Sequence, residues 1–246
     1  MGIDLNCDMG ESFGAWKMGN DAEIMPYIHS ANIACGFHAG DAHTMRKTVA
    51  LAIQHNVKIG AHPGFNDLAG FGRRNIPITP DQAYDLVVVQ VGALAAVAKS
   101  QGTHLHHVKA HGALYNMSAN DEGLSKAIAQ AVYDVDNSLV FFALANSKLS
   151  ATAQQLGLSV KQEVFADRSY QDNGLLTPRT QAGAMITDEE QSIEQVLNMV
   201  KHGFVISQSG KKIPIQADTL CIHGDQPNAL PFAKRIHQTL SEQGLL

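Results

Sequence analysis

Side chains able to do chemistry recur at one kind of place in this sequence, the end of a short apolar run. "DLNCD" supplies Asp4, Asn6 and Asp8, "ACGFH" supplies Cys35 and His38, and "IGAHPG" supplies His62. Further along, "HHVKAHG" gives Lys109 and His111, "EVFADR" gives Glu163, Asp167 and Arg168, and "CIHGD" gives His223 and Asp225. Carboxylates and imidazoles in one place suit general acid–base work. Asp8, His38 and His62 are also of the types that bind zinc, nickel or manganese, so a divalent metal on those three is an expectation. Direct hydrogen bonding of a substrate by the same groups is the alternative, since no HExxH spacing selects between them. Lys109 and Arg74 are candidates for stabilising an anion. Cys35 reads as a small buried packer before it reads as a nucleophile.

The elements that must position these residues alternate along the chain. β-prone runs fall at roughly 2–8, 31–37, 57–62, 104–111, 138–144, 158–165 and 218–223, with helix-forming runs at about 41–55, 80–101, 120–135, 147–157, 188–202 and 228–243. Thr79, Pro80 and Gln82 spell a capping box, and "TDEEQSIEQVLNMVKHG" has acids at its start and Gly203 as its stop. Strand and helix in repetition imply parallel strands, either in an open sheet or in a closed barrel. A barrel collects residues from the C-terminal ends of many strands, an open sheet from one crevice. The distribution of reactive residues therefore predicts a barrel of about seven strands, as a single domain over residues 1–246. Side chains alternate on a strand, so Asp4, Asn6 and Asp8 share one face, as do Lys109 with His111 and Cys221 with His223 and Asp225. Strand two should then deliver Cys35, His38 and Asp41 to the barrel mouth. Residues 204–217 read as a β-hairpin excursion. The long loops after strands three and six carry Arg73 and Arg74, and Arg168, Tyr170 and Arg179, which either clamp a carboxylate or phosphate or are surface charges.

Composition narrows the partners. A formal charge of −5 gives no basic field for nucleic acid. Three scattered cysteines without CxxC spacing oppose a disulfide framework and fit a reducing cytoplasm. The most apolar window, 86–98, is interrupted by Gln90 and too short for a membrane span. Neither a P-loop, a GxGxxG nor a GxSxG elbow is present.

Seven motifs carry a resemblance: "DLNCDMGESFG", "NIACGFHAGD", "GAHPGFND", "GFGRR", "HVKAHGALYN", "FADRSY" and "CIHGD". In this order over essentially the whole chain they are similar to the LamB/YcsF family, with Ala42 departing from the proline expected after "HAGD". The resemblance implies a seven-stranded, TIM-like β/α barrel related to polysaccharide deacetylases. It implies ATP-dependent opening of the lactam ring of 5-oxo-L-proline (pyroglutamate) to L-glutamate, a 5-oxoprolinase activity shared with partner subunits B and C. Asp8, His38, His62, Lys109 and His111 are then the candidate catalytic set, and Asn6, Glu11, Cys35, Arg74, Glu163, Asp167, Arg168, His223 and Asp225 the candidate substrate contacts. With no P-loop here, ATP is expected to be the co-substrate of the complex and to be handled largely by the partners. A metal-dependent amide or carbohydrate deacetylase and a non-catalytic lactam-binding scaffold remain the rival readings.

Overall fold

Apolar side chains at alternate strand positions decide the architecture, because they must all face one layer of helices. The structure, a computed structural model, describes residues 2–222 and 229–246. Strands β1 (Asp4–Met9), β2 (Ser30–Ala34), β3 (Lys58–His62), β4 (His107–Lys109), β5 (Val140–Leu144), β6 (Ser159–Phe165) and β9 (Thr219–Ile222) close into a parallel barrel, with β9 between β6 and β1. β7 (Phe204–Ile206) and β8 (Lys212–Pro214) form the antiparallel excursion expected over 204–217. Helices α1 (Asp21–Ile24), α2 (Ala42–Gln54), α3 (Pro80–Ser100), α4 (Gly112–Ser118), α5 (Glu122–Val135), α6 (Lys148–Leu156), α7 (Glu189–His202) and α8 (Ala229–Glu242) surround it.

The expected caps are present. Thr79 and Gln82 exchange both capping-box hydrogen bonds at the start of α3, and Gly203 ends α7 at φ +67°. α3 is long and apolar enough to cross a membrane by composition, but Val87, Val91 and Leu94 lie in the core and Gln90 is buried on backbone atoms of Gly64. The fourth strand is shorter than the 104–111 run suggests. Gly112, at φ +56°, turns the chain so closely past Gly72 that a Cβ there would lie 2.5 Å from the Gly72 carbonyl oxygen, and α4 begins at once.

Outward-facing Leu5, Cys7, Ile33, Ile59, Val108, Phe141, Val164 and Leu220 form the core with the helices. The inward face is a hydrogen-bonded polar column rather than the branched aliphatic filling common in such barrels. At its base Ser30 and Thr219 donate to Asp4 at 3.0 and 2.8 Å. Above them Asn6 donates to Thr219 at 2.8 Å, and Asn32 donates to Asn6 at 2.7 Å and to Asp8 at 2.9 Å. His107 donates to the Asn32 carbonyl at 2.8 Å, its ring stacked on Phe142. The buried Asn6 and Asn32 amides of the column are thus spent on neighbours, which offsets the desolvation cost of burying them. Gly60 makes room for that ring, since an added Cβ would sit 2.1 Å from His107 Nε2. Gly60→Ala is expected to cost about 1–3 kcal/mol through overpacking, read as a lower denaturant midpoint.

Candidate active site

Four strands of the barrel converge at its mouth on one ammonium group. Lys109, at the end of β4, is 2% exposed, and its Nζ lies 2.9 Å from Asp8 Oδ1 on β1, 2.9 Å from Glu163 Oε1 on β6 and 3.0 Å from Cys221 Sγ on β9. Asn6 Oδ1 is a further acceptor at 3.3 Å, and Tyr115 on α4 donates to the other oxygen of Glu163 at 2.6 Å. Burial alone pulls the Lys109 ammonium toward neutrality, but Asp8, Cys221 and Glu163 overrule it and hold the group charged well above the ordinary lysine range. Asp8 is oriented from two sides, by Asn32 and by Lys109, and its second oxygen lies 3.3 Å from His62 Nε2.

A histidine cluster adjoins this charge centre. His62 ends β3, His111 is the N-cap residue of α4, and His38 follows β2. His38 and His111 stack with centroids 3.7 Å apart, and His62 meets each edge-on. Burial, then the neighbouring rings, push His38 and His111 well below the ordinary histidine value. They therefore serve as neutral donors, acceptors or ligands rather than as stored protons. Buried Glu11 approaches His38 Nε2 at 4.0 Å. One ligand atom from each of Glu11, His38, His62 and His111 lies within 4.8 Å of the others, a group that could hold a metal ion. The group shares His38 and His62 with the three metal candidates read from the sequence, adds His111, and takes its carboxylate from Glu11, while Asp8 turns one oxygen to Lys109 and Asn32.

Asp8, His62, Lys109, His111, Phe165 and Arg168 line a cavity of about 40 Å³, enough for ordered water. Arg73 and Arg179 stand at its rim. A neighbouring groove of about 590 Å³ shares Asn116, Arg168, Leu176 and Arg179 with it. A further open groove of about 610 Å³ beside α3, α5 and α6 is lined by Pro80, Tyr84, Lys126 and Leu156 and gathers no comparable cluster.

The other candidates are placed differently. Arg168 is buried with its guanidinium donating to the carbonyls of Ala184 and Thr177, and burial lowers it to about 10. Asp167 is buried beside it. Arg74 lies on the wall of the larger groove, its guanidinium paired with Asp67 and its side chain 65% exposed. Asp41 caps α2 through Thr44 and also accepts from Gly14. The Cys35 thiol shares the core with Ile33, whose carbonyl it donates to at 3.3 Å. Of the three residues expected from the end of strand two, the structure thus brings only His38 into the cluster. His223 and Asp225 lie outside the described residues. Asn32, Tyr115, Cys221 and His107 were missing from the sequence-derived set. Asn32 had a signal, an amide inside an otherwise apolar buried strand, which must find partners.

Burial raises the Cys35 thiol to about 12 and those of Cys7 and Cys221 well above the usual value. Iodoacetamide at pH 8 is therefore expected to label none of the three in the native chain and all three after denaturation. Rapid native labelling of Cys35, read by mass spectrometry, would revive a covalent role.

Comparison with known proteins agrees with this barrel and its order of motifs. A model of the LamB/YcsF family matches residues 3–246. The chain is 62% identical over 243 residues to the 5-oxoprolinase A subunit of Bordetella pertussis strain Tohama I, covering 99% of this chain and 96% of that protein. It is 57% identical to the 5-oxoprolinase A subunit of Bacillus subtilis strain 168, covering 99% and 95%. The crystal structure of a lactam utilization protein from Thermus thermophilus superposes with a TM-score of 0.93 at 44% identity, covering 99% of this chain and 98% of that one. Sequence and backbone correspond from one end of the barrel to the other, and the chain belongs to the LamB/YcsF family.

Proposed function

We propose that this chain is the ring-opening component, the A subunit, of an ATP-dependent 5-oxoprolinase that converts 5-oxo-L-proline to L-glutamate with partner subunits B and C. The observation that carries the chemistry is Asp8, fixed between Lys109 and Asn32 at the edge of a water-sized cavity, with the histidine cluster alongside. The relatives named as 5-oxoprolinase A subunits supply the substrate.

A five-membered lactam is a poor electrophile, and phosphorylation of its amide oxygen creates a leaving group. With no P-loop in this sequence, that step falls to the partners, and this barrel performs the hydrolytic one. Water in the cavity loses a proton to Asp8 as it adds to the phosphorylated lactam carbon, and Asp8 returns the proton to the ring nitrogen as the C–N bond breaks to leave γ-glutamyl phosphate. A second water hydrolyses that acyl phosphate to L-glutamate and inorganic phosphate. Lys109, paired with Asp8 at 2.9 Å, steadies the carboxylate through both transfers. Arg168 and Arg179, where the cavity meets the groove, hold the α-carboxylate or the phosphoryl group. A divalent ion in the histidine cluster would lower the pKa of a bound water.

The test is to combine the purified chain with subunits B and C, 5-oxoproline and ATP, and to measure glutamate and phosphate while omitting each component in turn. Glutamate is expected only from the full mixture. Undiminished glutamate formation without this chain would overturn the proposal, as would ATP-independent release of acetate from an N-acetylated substrate by the chain alone.

A further inference from the structure

We infer that Glu11, His38, His62 and His111 form a binding site for one first-row divalent transition-metal ion, of the class that Zn²⁺ represents. Proton positions come first. His62 Nδ1 lies 2.8 Å from the Lys109 carbonyl oxygen, and His111 Nε2 lies 2.8 Å from that of Phe71. A carbonyl only accepts, so each of these nitrogens carries the hydrogen, and in the neutral rings the opposite nitrogens are bare. With one hydrogen on each ring, His62 Nε2 and His111 Nδ1 face one another at 3.0 Å, and His62 Nε2 also faces Asp8 Oδ2 at 3.3 Å. Two lone pairs so close repel unless an electron acceptor lies between them. Backbone carbonyls that fix the tautomer from behind are the usual support of ligating histidines.

A proton shared by the pair would relieve that repulsion, but it does nothing for His38. Both ring nitrogens of His38 are buried without a hydrogen-bond partner among the described residues, which is costly in a packed interior. The ring is held there closely. A Cβ at Gly64 would lie 2.6 Å from His38 Nδ1, and one at Gly72 would lie 2.7 Å from His38 Cβ. One cation accounts for both observations, because it takes the facing lone pairs and gives His38 a partner beside Glu11. Three imidazoles and one carboxylate suit zinc and its neighbours, whereas magnesium and calcium take oxygen sets. The four atoms spread over as much as 4.8 Å, wider than ligands at about 2.0–2.2 Å from one ion allow, so loading draws the cluster inward.

The site deepens the ring-opening reading and rests on that reading only for its purpose, water activation next to Asp8. Its test needs neither lactam, ATP nor partners. The full chain is stripped with a chelator and titrated with Zn²⁺ by calorimetry. One equivalent is expected to bind, with no saturable heat from Mg²⁺ at the same concentration. His38→Ala and His111→Ala are expected to weaken binding by more than the about 10–100-fold that loss of an outer-sphere partner costs, while His43→Ala, at an exposed histidine, leaves it unchanged. Where a histidine variant fails to fold by circular dichroism, Glu11→Gln and the visible absorption of the Co²⁺-loaded wild-type chain supply the readout. Absence of saturable binding, or binding undiminished in folded variants, overturns the site. Because binding is read on the chain alone, failure of the ring-opening reading leaves the result standing, and glutamate formation by the metal-stripped complex tests the link separately.

Discussion

Asp8→Asn is expected to lower glutamate formation by the assembled complex by about 10²–10⁴-fold, the range that loss of a general base commands, with the fold retained. Asparagine has nearly the same shape and keeps an acceptor oxygen for Asn32 and Lys109, so the polar column beneath it is preserved. What disappears is the basic oxygen that faces the cavity. Lys109 loses one counter-charge but keeps Glu163 at 2.9 Å, so the ammonium remains paired. Coupled assay of glutamate, with thermal unfolding of the same sample, separates the chemical loss from a structural one. Turnover within a few-fold of wild type in a folded complex would remove Asp8 from the mechanism. On the proposed division of labour the ADP-forming step survives in the variant, so ADP formed per glutamate formed should rise.

The second large effect belongs to stability. Lys109→Met removes the only ammonium between Asp8 and Glu163 among the described residues and leaves two buried carboxylates facing an apolar chain. Breaking a buried ion pair from one side costs about 3–5 kcal/mol, because the charge left behind has lost both water and partner. A loss of that size is expected in urea unfolding of Lys109→Met, together with loss of ring opening. Adding Glu163→Gln should recover part of the stability, since a neutral amide is cheaper to bury than an unpaired carboxylate. It should recover none of the activity. If the double variant is no more stable than the single one, the deficit is lost packing of the lysine stem and not stranded charge.

Much of the barrel was legible because strand and helix announce themselves locally. Capping residues such as Thr79 and Gln82 act within one turn, and alternation in "DLNCD" fixes that Asp4, Asn6 and Asp8 share a face. Parity could have gone further. Asn32 pairs in register with Asp8, and its inward direction requires Ile33 and Cys35 to point outward, so the thiol belonged to the core from the start. Asp41 looked chemical by type, yet its position three residues before Thr44 already spelled a helix cap. Arg74 was ambiguous because its partner, Asp67, lies seven residues back across an irregular loop with no periodicity to fix the geometry.

By itself the sequence determined the alternation of strands and helices and the face on which each strand carries its polar residues, since these follow from interactions a few residues apart, and the spread of reactive residues over many strand ends favoured a closed barrel over an open sheet. Only the tertiary structure decided which of those residues touch: that Lys109 sits between Asp8 and Glu163, 101 and 54 residues away in the chain, and that Glu11 rather than Asp8 joins the three histidines. Such pairings depend on how strands register around a closed sheet and on which backbone carbonyls each imidazole meets. Those distances are set by the whole ring of strands at once, and no local stretch of sequence encodes them.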